Sequence, residues 1–271
     1  MFSLCSLCVP PWLSLFENAH HGDTEIAQRS TENFQFGSAG KYSSKMKRPR
    51  ALWSLMALLV ISVPLPAQQP ARDPRYPAHW FAPVNDPQKP AWEILPQEAG
   101  PGEVILSKRN ELGLLSNFAP TPFVFRAKRY ASVEGFWQMM LYPEGPDLPF
   151  MRSPGVEWQY TRDQVANMVS FEAKRAGDLG EANMKKMGIT WVSFEGRHFE
   201  YKPAKPGEHY QLIVAAMWEK VKQNPEVKKV LLATGDLILK PDHHQEPDAP
   251  AAWRYFEIWM QIRSELQKTE R

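Results

Sequence analysis

Apolar residues recur at helical spacing in several stretches of the chain. Val133, Phe136, Trp137 and Met140 predict a helix from Ser132 to about Leu141, ended by Pro143. Val165, Met168, Val169 and Ala173 predict a second helix from about Asp163 to Ala176, with Asp163 as N-cap and Gly177 as the stop. Tyr210, Ile213, Val214, Met217 and Val221 mark a third, from Glu208 to Lys222. Pro225 opens another to about Ala233, ended near Gly235. Pro250 opens the last, with Trp253, Phe256, Met260 and Arg263 on one side.

Between these lie short strand patterns. Glu103 to Ser107 reads as a strand, Gly113 as a turn, and Thr121 to Phe125 as a second strand followed by a polar turn at Arg126 to Arg129. Thr190 to Tyr201 reads as a hairpin turning at Glu195-Gly196. That register pairs Val192 with Phe199 and leaves Phe194 and Tyr201 on one apolar face. Leu237 to Leu239 reads as a further short strand. Strand–helix alternation is too irregular for a doubly wound parallel sheet, and no segment repeats with a period of about 20 to 50 residues. The predicted fold class is α+β, compact and mainly helical with a few short strands.

The first third of the chain follows different rules. Lys47, Arg48 and Arg50 form a basic cluster after Met46, Ala51 to Val63 is almost wholly apolar, and Leu65-Pro66-Ala67 ends on a small residue. Basic, apolar and small-residue regions in that order predict a signal peptide over 46–67, cut near Ala67, and hence a periplasmic or secreted protein. The apolar run is short of the roughly 20 residues that span a bilayer, so contact with a membrane is expected only through this segment if it is uncleaved. A signal peptide begins at the initiator, so Met46 is expected to be the true start and 1–45 a mis-assigned or disordered extension. Residues 68–101 carry eight prolines from Pro70 to Pro101, a density that blocks helix and ladder alike. They predict an extended arm. Its aromatics Tyr76, Trp80, Phe81 and Trp92 suggest that it lies on the domain at 102–271; a flexible tether is the alternative.

Composition sharpens this picture. The 271 residues hold 32 Lys+Arg against 30 Asp+Glu, a formal charge of +2. Residues 1–67 contain six of the basic and four of the acidic residues, so the rest is electrically neutral. A neutral surface excludes a nucleic-acid polymer as a partner held by bulk charge. Both cysteines, Cys5 and Cys8, also lie in the leader, so thiol chemistry and a disulfide scaffold are excluded for the domain.

Nucleotide loops, nucleophile elbows and zinc-protease motifs are all missing. Asp242, His243 and His244 have metal-ligand chemistry but too few ligands, and a solvated loop explains them better. Glu134 falls in the first turn of a predicted helix, where the N-terminal dipole favours an anion, and Gln138 lies on the same face four residues on. A carboxylate beside an amide can hold a ribose or activate water; it can equally be a capping carboxylate beside a surface glutamine. Lys174 and Lys220 lie near the apolar stripes of their helices, where a lysine either snorkels to solvent or points into a cleft.

Five segments occur in an order that resembles a known family. Leu115-Ser116-Asn117-Phe118 comes first, then Tyr130-Ala131-Ser132-Val133-Glu134 with Gln138, then Ala173-Lys174 with Gly177. Lys220-Val221-Lys222-Gln223-Asn224-Pro225 follows, with Leu231-Leu232-Ala233-Thr234-Gly235-Asp236, and Ile258 to Leu266 closes the set. The chain resembles the NADAR (NAD and ADP-ribose associated) family of YbiA-like domains over residues 114–266. The resemblance implies a compact, mainly helical α+β fold and a hydrolase of N-glycosyl compounds. Family substrates are ribosylated intermediates of riboflavin biosynthesis and ADP-ribose linked to guanine.

Carried over residue by residue, the resemblance implies that Glu134 is the catalytic carboxylate, with Lys174 and Lys220 near the substrate phosphate or the anomeric carbon. Asn117, Phe118, Ser132, Gln138 and Asp236 would bind substrate. No metal and no cofactor are implied; the partner is a small-molecule ribosyl or ADP-ribosyl substrate. A non-catalytic module that binds such a ligand is the alternative. The family's Asp-x-x-Trp-Gly-x-Gly segment has no counterpart at Glu246 to Trp253, which lacks glycine, so Asp248 and Trp253 are not carried over.

Overall fold

The computed structural model describes residues 73–145 and 153–269. The extension predicted at 1–45, the signal segment at 46–67 and the first residues of the arm lie outside the described residues. Among those described, no helix is long and apolar enough to cross a membrane. The order is β1 (Glu103–Ile105), β2 (Phe123–Phe125), β3 (Lys128–Tyr130), α1 (Val133–Met139), α2 (Arg162–Ala166) and α3 (Ser170–Met187). Then come β4 (Trp191–Phe194), β5 (Arg197–Glu200), α4 (Glu208–Gln223), α5 (Pro225–Ala233), β6 (Ile238–Lys240) and α6 (Tyr255–Thr269). The fold is α+β and mainly helical. Its strands form three separate pairs: β1 with β6 in parallel, and the hairpins β2–β3 and β4–β5.

The second hairpin pairs Val192 with Phe199 across a turn in which Glu195 and Gly196 both take positive φ. The first hairpin departs from the expected polar turn at 126–129. Only Arg126 and Ala127 turn, both at positive φ, and Lys128–Tyr130 forms a strand. Phe123, Phe125, Tyr130, Phe136 and Phe194 pack as a stacked and edge-on aromatic cluster that joins both hairpins to α1.

The helix expected from Asp163 to Ala176 is two helices. Thr161, not Asp163, caps α2: its side chain accepts from Gln164 N–H, and Gln164 answers Thr161 N–H. α2 ends early because its carbonyls are used by the start of α1. Ala131 N–H donates to Ala166 O at 3.1 Å and the Ser132 hydroxyl to Met168 O at 2.9 Å. α3 then runs straight through Gly177 and ends at Gly188, which takes the left-handed conformation. Pro250 begins a 3-10 turn over Ala251–Trp253, and α6 starts at Tyr255. Its buried side is Tyr255, Ile258, Trp259, Ile262 and Arg263, not the stripe from Trp253 to Met260.

Residues 73–101 lie against this core. Tyr76, Trp80 and Phe81 are buried in it. Trp80 Nε1 donates to Glu111, and Tyr76 donates its hydroxyl to Asp236. Further along, buried Glu93 takes two hydrogen bonds from Arg109, at 2.7 and 2.6 Å. Ile94 N–H donates to Asp242 O at 2.8 Å, which fixes the neighbouring Trp92 beside the loop at 241–254.

Candidate functional site

α1 sits at the centre of the site because its N-terminus is fastened from three directions. Ser132 caps it, accepting from Gly135 N–H at 2.9 Å. Glu134 N–H donates to Asn117 O at 2.9 Å, which ties the first turn to the loop bearing Asn117 and Phe118. Gly135 lets the backbone of α2 approach: a Cβ there would lie 2.6 Å from Met168 O. On the far side, Gly177 of α3 faces Gln138, whose Oε1 would be only 1.9 Å from an added Cβ. Gly177 is therefore a close-approach residue, which is why α3 does not stop there.

Beside these approaches lies a cleft of about 410 Å³, within the usual range for a small-molecule site. Glu134, Gln138, Asn117, Phe118 and Lys174 all line it. Glu134 is only 6 % exposed. Its Oε1 accepts from Gln138 Nε2 at 2.7 Å; among the described residues no donor reaches Oε2. Burial pushes the carboxyl up to about 7, while the Gln138 hydrogen bond and the Lys174 charge pull the other way. Asn117 Oδ1 is buried with no partner. The site thus presents a carboxyl that changes charge near neutrality, beside a wall residue, Asn117, whose amide oxygen is buried behind the surface.

Three residues from the expected set stand elsewhere. Ser132 is wholly buried as the α1 cap. Asp236 lies outside the cleft, where it takes the Tyr76 hydroxyl and pairs with Arg75. Lys220 has no exposed surface; its ammonium donates to Ser116 O at 2.7 Å and faces the Trp259 ring at 5.7 Å. Burial lowers its pKa to about 7. Trp259 Nε1 donates to Leu115 O at 2.5 Å, so Lys220 and Trp259 together hold the backbone that presents Asn117.

Residues outside the five motifs complete the wall. Phe171 packs edge-on against Phe118 with centroids 5.2 Å apart, and Trp92 tilts over Phe171. Lys108 sits over Phe118 and Trp92 and pairs with buried Asp242. Opposite them, Trp137 Nε1 reaches the Tyr201 hydroxyl at 3.3 Å, and Lys202 lies over Tyr201 and Trp253. Behind Trp137 and Tyr201 is His209, wholly buried with neither ring nitrogen partnered; burial lowers its pKa to about 4. His243 and His244 line the cleft, but among the described residues no three His, Cys, Asp or Glu side chains gather to hold a metal. In the sequence Trp92 stands out as an aromatic of the arm, Asp242, His243 and His244 as metal-ligand types, and Trp137, Tyr201 and Trp253 as apolar positions of their elements; Phe171, Lys108 and Lys202 carry no signal.

No protein-family model and no curated protein matches the chain. One solved structure does, the NMR structure of the Escherichia coli protein YbiA, at 18 % identity. The match covers 61 % of this chain and 86 % of that one, with a TM-score of 0.36.

Proposed function

We propose that the protein is an exported N-glycoside hydrolase that cleaves the ribose C1–N bond of a ribosylated or ADP-ribosylated small molecule or nucleobase. The observation that carries this reading is Glu134: a buried carboxyl on the wall of a ligand-sized cleft, with one oxygen fixed by Gln138 and the other left for the cavity. Breaking a glycosidic C–N bond builds positive charge at C1. An ionised Glu134 stabilises that charge and takes a proton from the water whose oxygen bonds to C1; the departing nitrogen keeps the C–N bond pair and receives that proton, and a carboxyl with a pKa near 7 is matched to both transfers. Asn117 lines the cleft beside it. Lys174 lies on the same wall and favours the ionised form of Glu134. The ordered motifs that resemble the NADAR family support the same assignment.

The test is a product assay by mass spectrometry with a panel of N-ribosides and ADP-ribosylated bases. Release of free ribose or ADP-ribose should be lost in Glu134→Gln while the variant stays folded. Unchanged turnover in that variant removes Glu134 from the chemistry. Thermal stabilisation by these ligands with no product would leave a binding module instead. Export rests on the pattern at 46–67 and is checked by sequencing the N-terminus of the exported protein, expected near Gln68.

A further inference from the structure

We infer that Trp92, on the proline-rich arm, is a binding residue of the cleft and stacks on a planar heteroaromatic ring of the ligand. This rests on the proposed N-glycosidase site and names a specificity determinant outside residues 114–266, to which the family resemblance is confined. The four aromatics of the arm divide. Tyr76, Trp80 and Phe81 are buried in the core. Trp92 is 42 % exposed and lines the cleft. Its mount is nonetheless rigid. Lys89 Nζ donates to Glu93 O at 2.9 Å, and the buried Glu93 carboxylate takes both of its hydrogen bonds from Arg109, which also pairs with Asp86. Glu93 forms an antiparallel bridge with His243, Ile94 N–H donates to Asp242 O, and Leu95 is buried. A buried carboxylate needs such partners to offset its desolvation, and here they fix the residue next to a ring left open.

The ring is oriented without being covered. Phe171 lies 6.3 Å from it at 56°, and Phe171 in turn packs edge-on against Phe118. The Lys108 ammonium, paired with buried Asp242, sits 5.9 Å from the Trp92 centroid. Phe118 adjoins Asn117, whose carbonyl takes the Glu134 N–H, so the aromatic patch and the carboxyl share one frame. A lone exposed aromatic calls for no function, but Trp92 completes a patch of three rings inside a ligand-sized cleft. Tryptophan offers a large flat contact with only two torsions to fix, and any base has a face that stacks on it. A ribosyl ligand can bring such a ring in two places: the base leaving from C1, or the adenine of an ADP-ribosyl group.

The experiment measures affinity by titration calorimetry in the Glu134→Gln protein. Inosine and guanosine carry a ring only at C1; ADP-ribose carries one only at the end away from its free anomeric hydroxyl. Adding Trp92→Leu, which stays apolar but removes the aromatic face, should weaken binding of the stacked ligand about tenfold, equivalent to roughly 1.4 kcal/mol. Adding Trp92→Phe should keep affinity within about threefold. A loss confined to the nucleosides puts the leaving base on Trp92, a loss confined to ADP-ribose puts the adenine there, and a loss on both supports the inference for either ring. Equal losses in the two variants, or none in either, overturn it, and product release by the wild type then leaves the glycosidase reading standing. Trp92-dependent binding with no product from the wild type supports the inference and removes that reading. Binding of none of these ligands overturns both.

Discussion

The protonation of Glu134 bears on stability as well as on the proposed turnover, and Glu134→Gln tests both. The carboxyl sits at 4.5 in an unfolded chain and near 7 when folded, because burial penalises its charge. Below pH 4.5 it is protonated in both states and costs nothing. Between 4.5 and 7 the unfolded chain releases the proton while the folded chain keeps it, so stability falls as pH rises. Above 7 the penalty is complete, at about 3 kcal/mol. Glutamine keeps the acceptor that Gln138 uses and cannot ionise. Urea unfolding of both proteins from pH 4.5 to 8.5 isolates the effect, since every other titration is common to the pair. The variant should gain about 3 kcal/mol on the wild type across that range, a large share of the roughly 5 to 15 kcal/mol of a folded domain. Turnover in the wild type should rise through an apparent pKa near 7. Parallel stability curves, or a wild type that gains on the variant with rising pH, would refute the claim that Glu134 is held against ionisation.

Gly177→Ala should cost about 1 to 3 kcal/mol and most of the activity, because the new Cβ lands on Gln138. Adding Gln138→Ala should restore the stability but not the activity, as read by thermal unfolding and product assay. His209→Phe removes a buried imidazole with two unanswered nitrogens from its cage of Trp137, Phe199 and Tyr201. Its folded pKa near 4 lies below the ordinary 6.5, so the wild type loses stability as pH falls from 6.5 toward 4. The variant should be most favoured at pH 4, by up to roughly 3 kcal/mol, and a gap that is flat with pH contradicts this. Lys220→Met exchanges a buried amine whose pKa is lowered from 10.5 to about 7. The cost of charging it is full below pH 7 and fades as pH rises toward 10.5, so the variant's advantage in urea midpoint should shrink between pH 6 and 9.5. Loss of the donor to Ser116 O offsets about 1 to 3 kcal/mol of that advantage.

The parts of the fold that were legible are those where one local signal has one meaning. The hairpin at 190–201 combines alternation with a Glu-Gly turn, and the helices at 208–223 and 225–233 have long stripes and proline or glycine punctuation. Errors arose where a residue type has two uses. Gly177 looks like a helix stop but serves a side chain on another helix, which nothing within its own segment reveals. Arg126-Ala127 makes a tight turn without the glycine or asparagine that usually accompanies positive φ, so nothing in the sequence separates the start of β3 from the turn. In the site, Asn117, Phe118, Glu134, Gln138 and Lys174 converge as their motifs suggested. Lys220, Ser132 and Asp236 share those motifs but hold the scaffold. A motif records what must be kept, and a buried lysine that fixes a carbonyl satisfies that as well as one that meets substrate.

The same geometry explains why the motifs belong together at all. Glu134 lies in the first turn of α1, a position whose donors and dipole favour an ionised carboxylate. Its pKa is nevertheless raised, so a stronger effect must oppose the dipole. That effect is desolvation, produced by contacts between elements far apart in sequence: Gly135 admits the backbone at 165–168, Gly177 admits Gln138 under α3, and Lys220 holds the loop whose Asn117 carbonyl covers the Glu134 amide. Each of these contacts removes water from one side of the carboxyl and leaves the cleft side open. A carboxyl closed in on all sides would stay protonated and reach no ligand; one open on several sides would ionise near pH 4.5 and hold no proton at neutrality. The raised pKa of Glu134 therefore depends on its neighbour Gly135 and on the remote Gly177 and Lys220, and changing any of them should move the pH dependence of the proposed turnover before it changes the affinity for ligand.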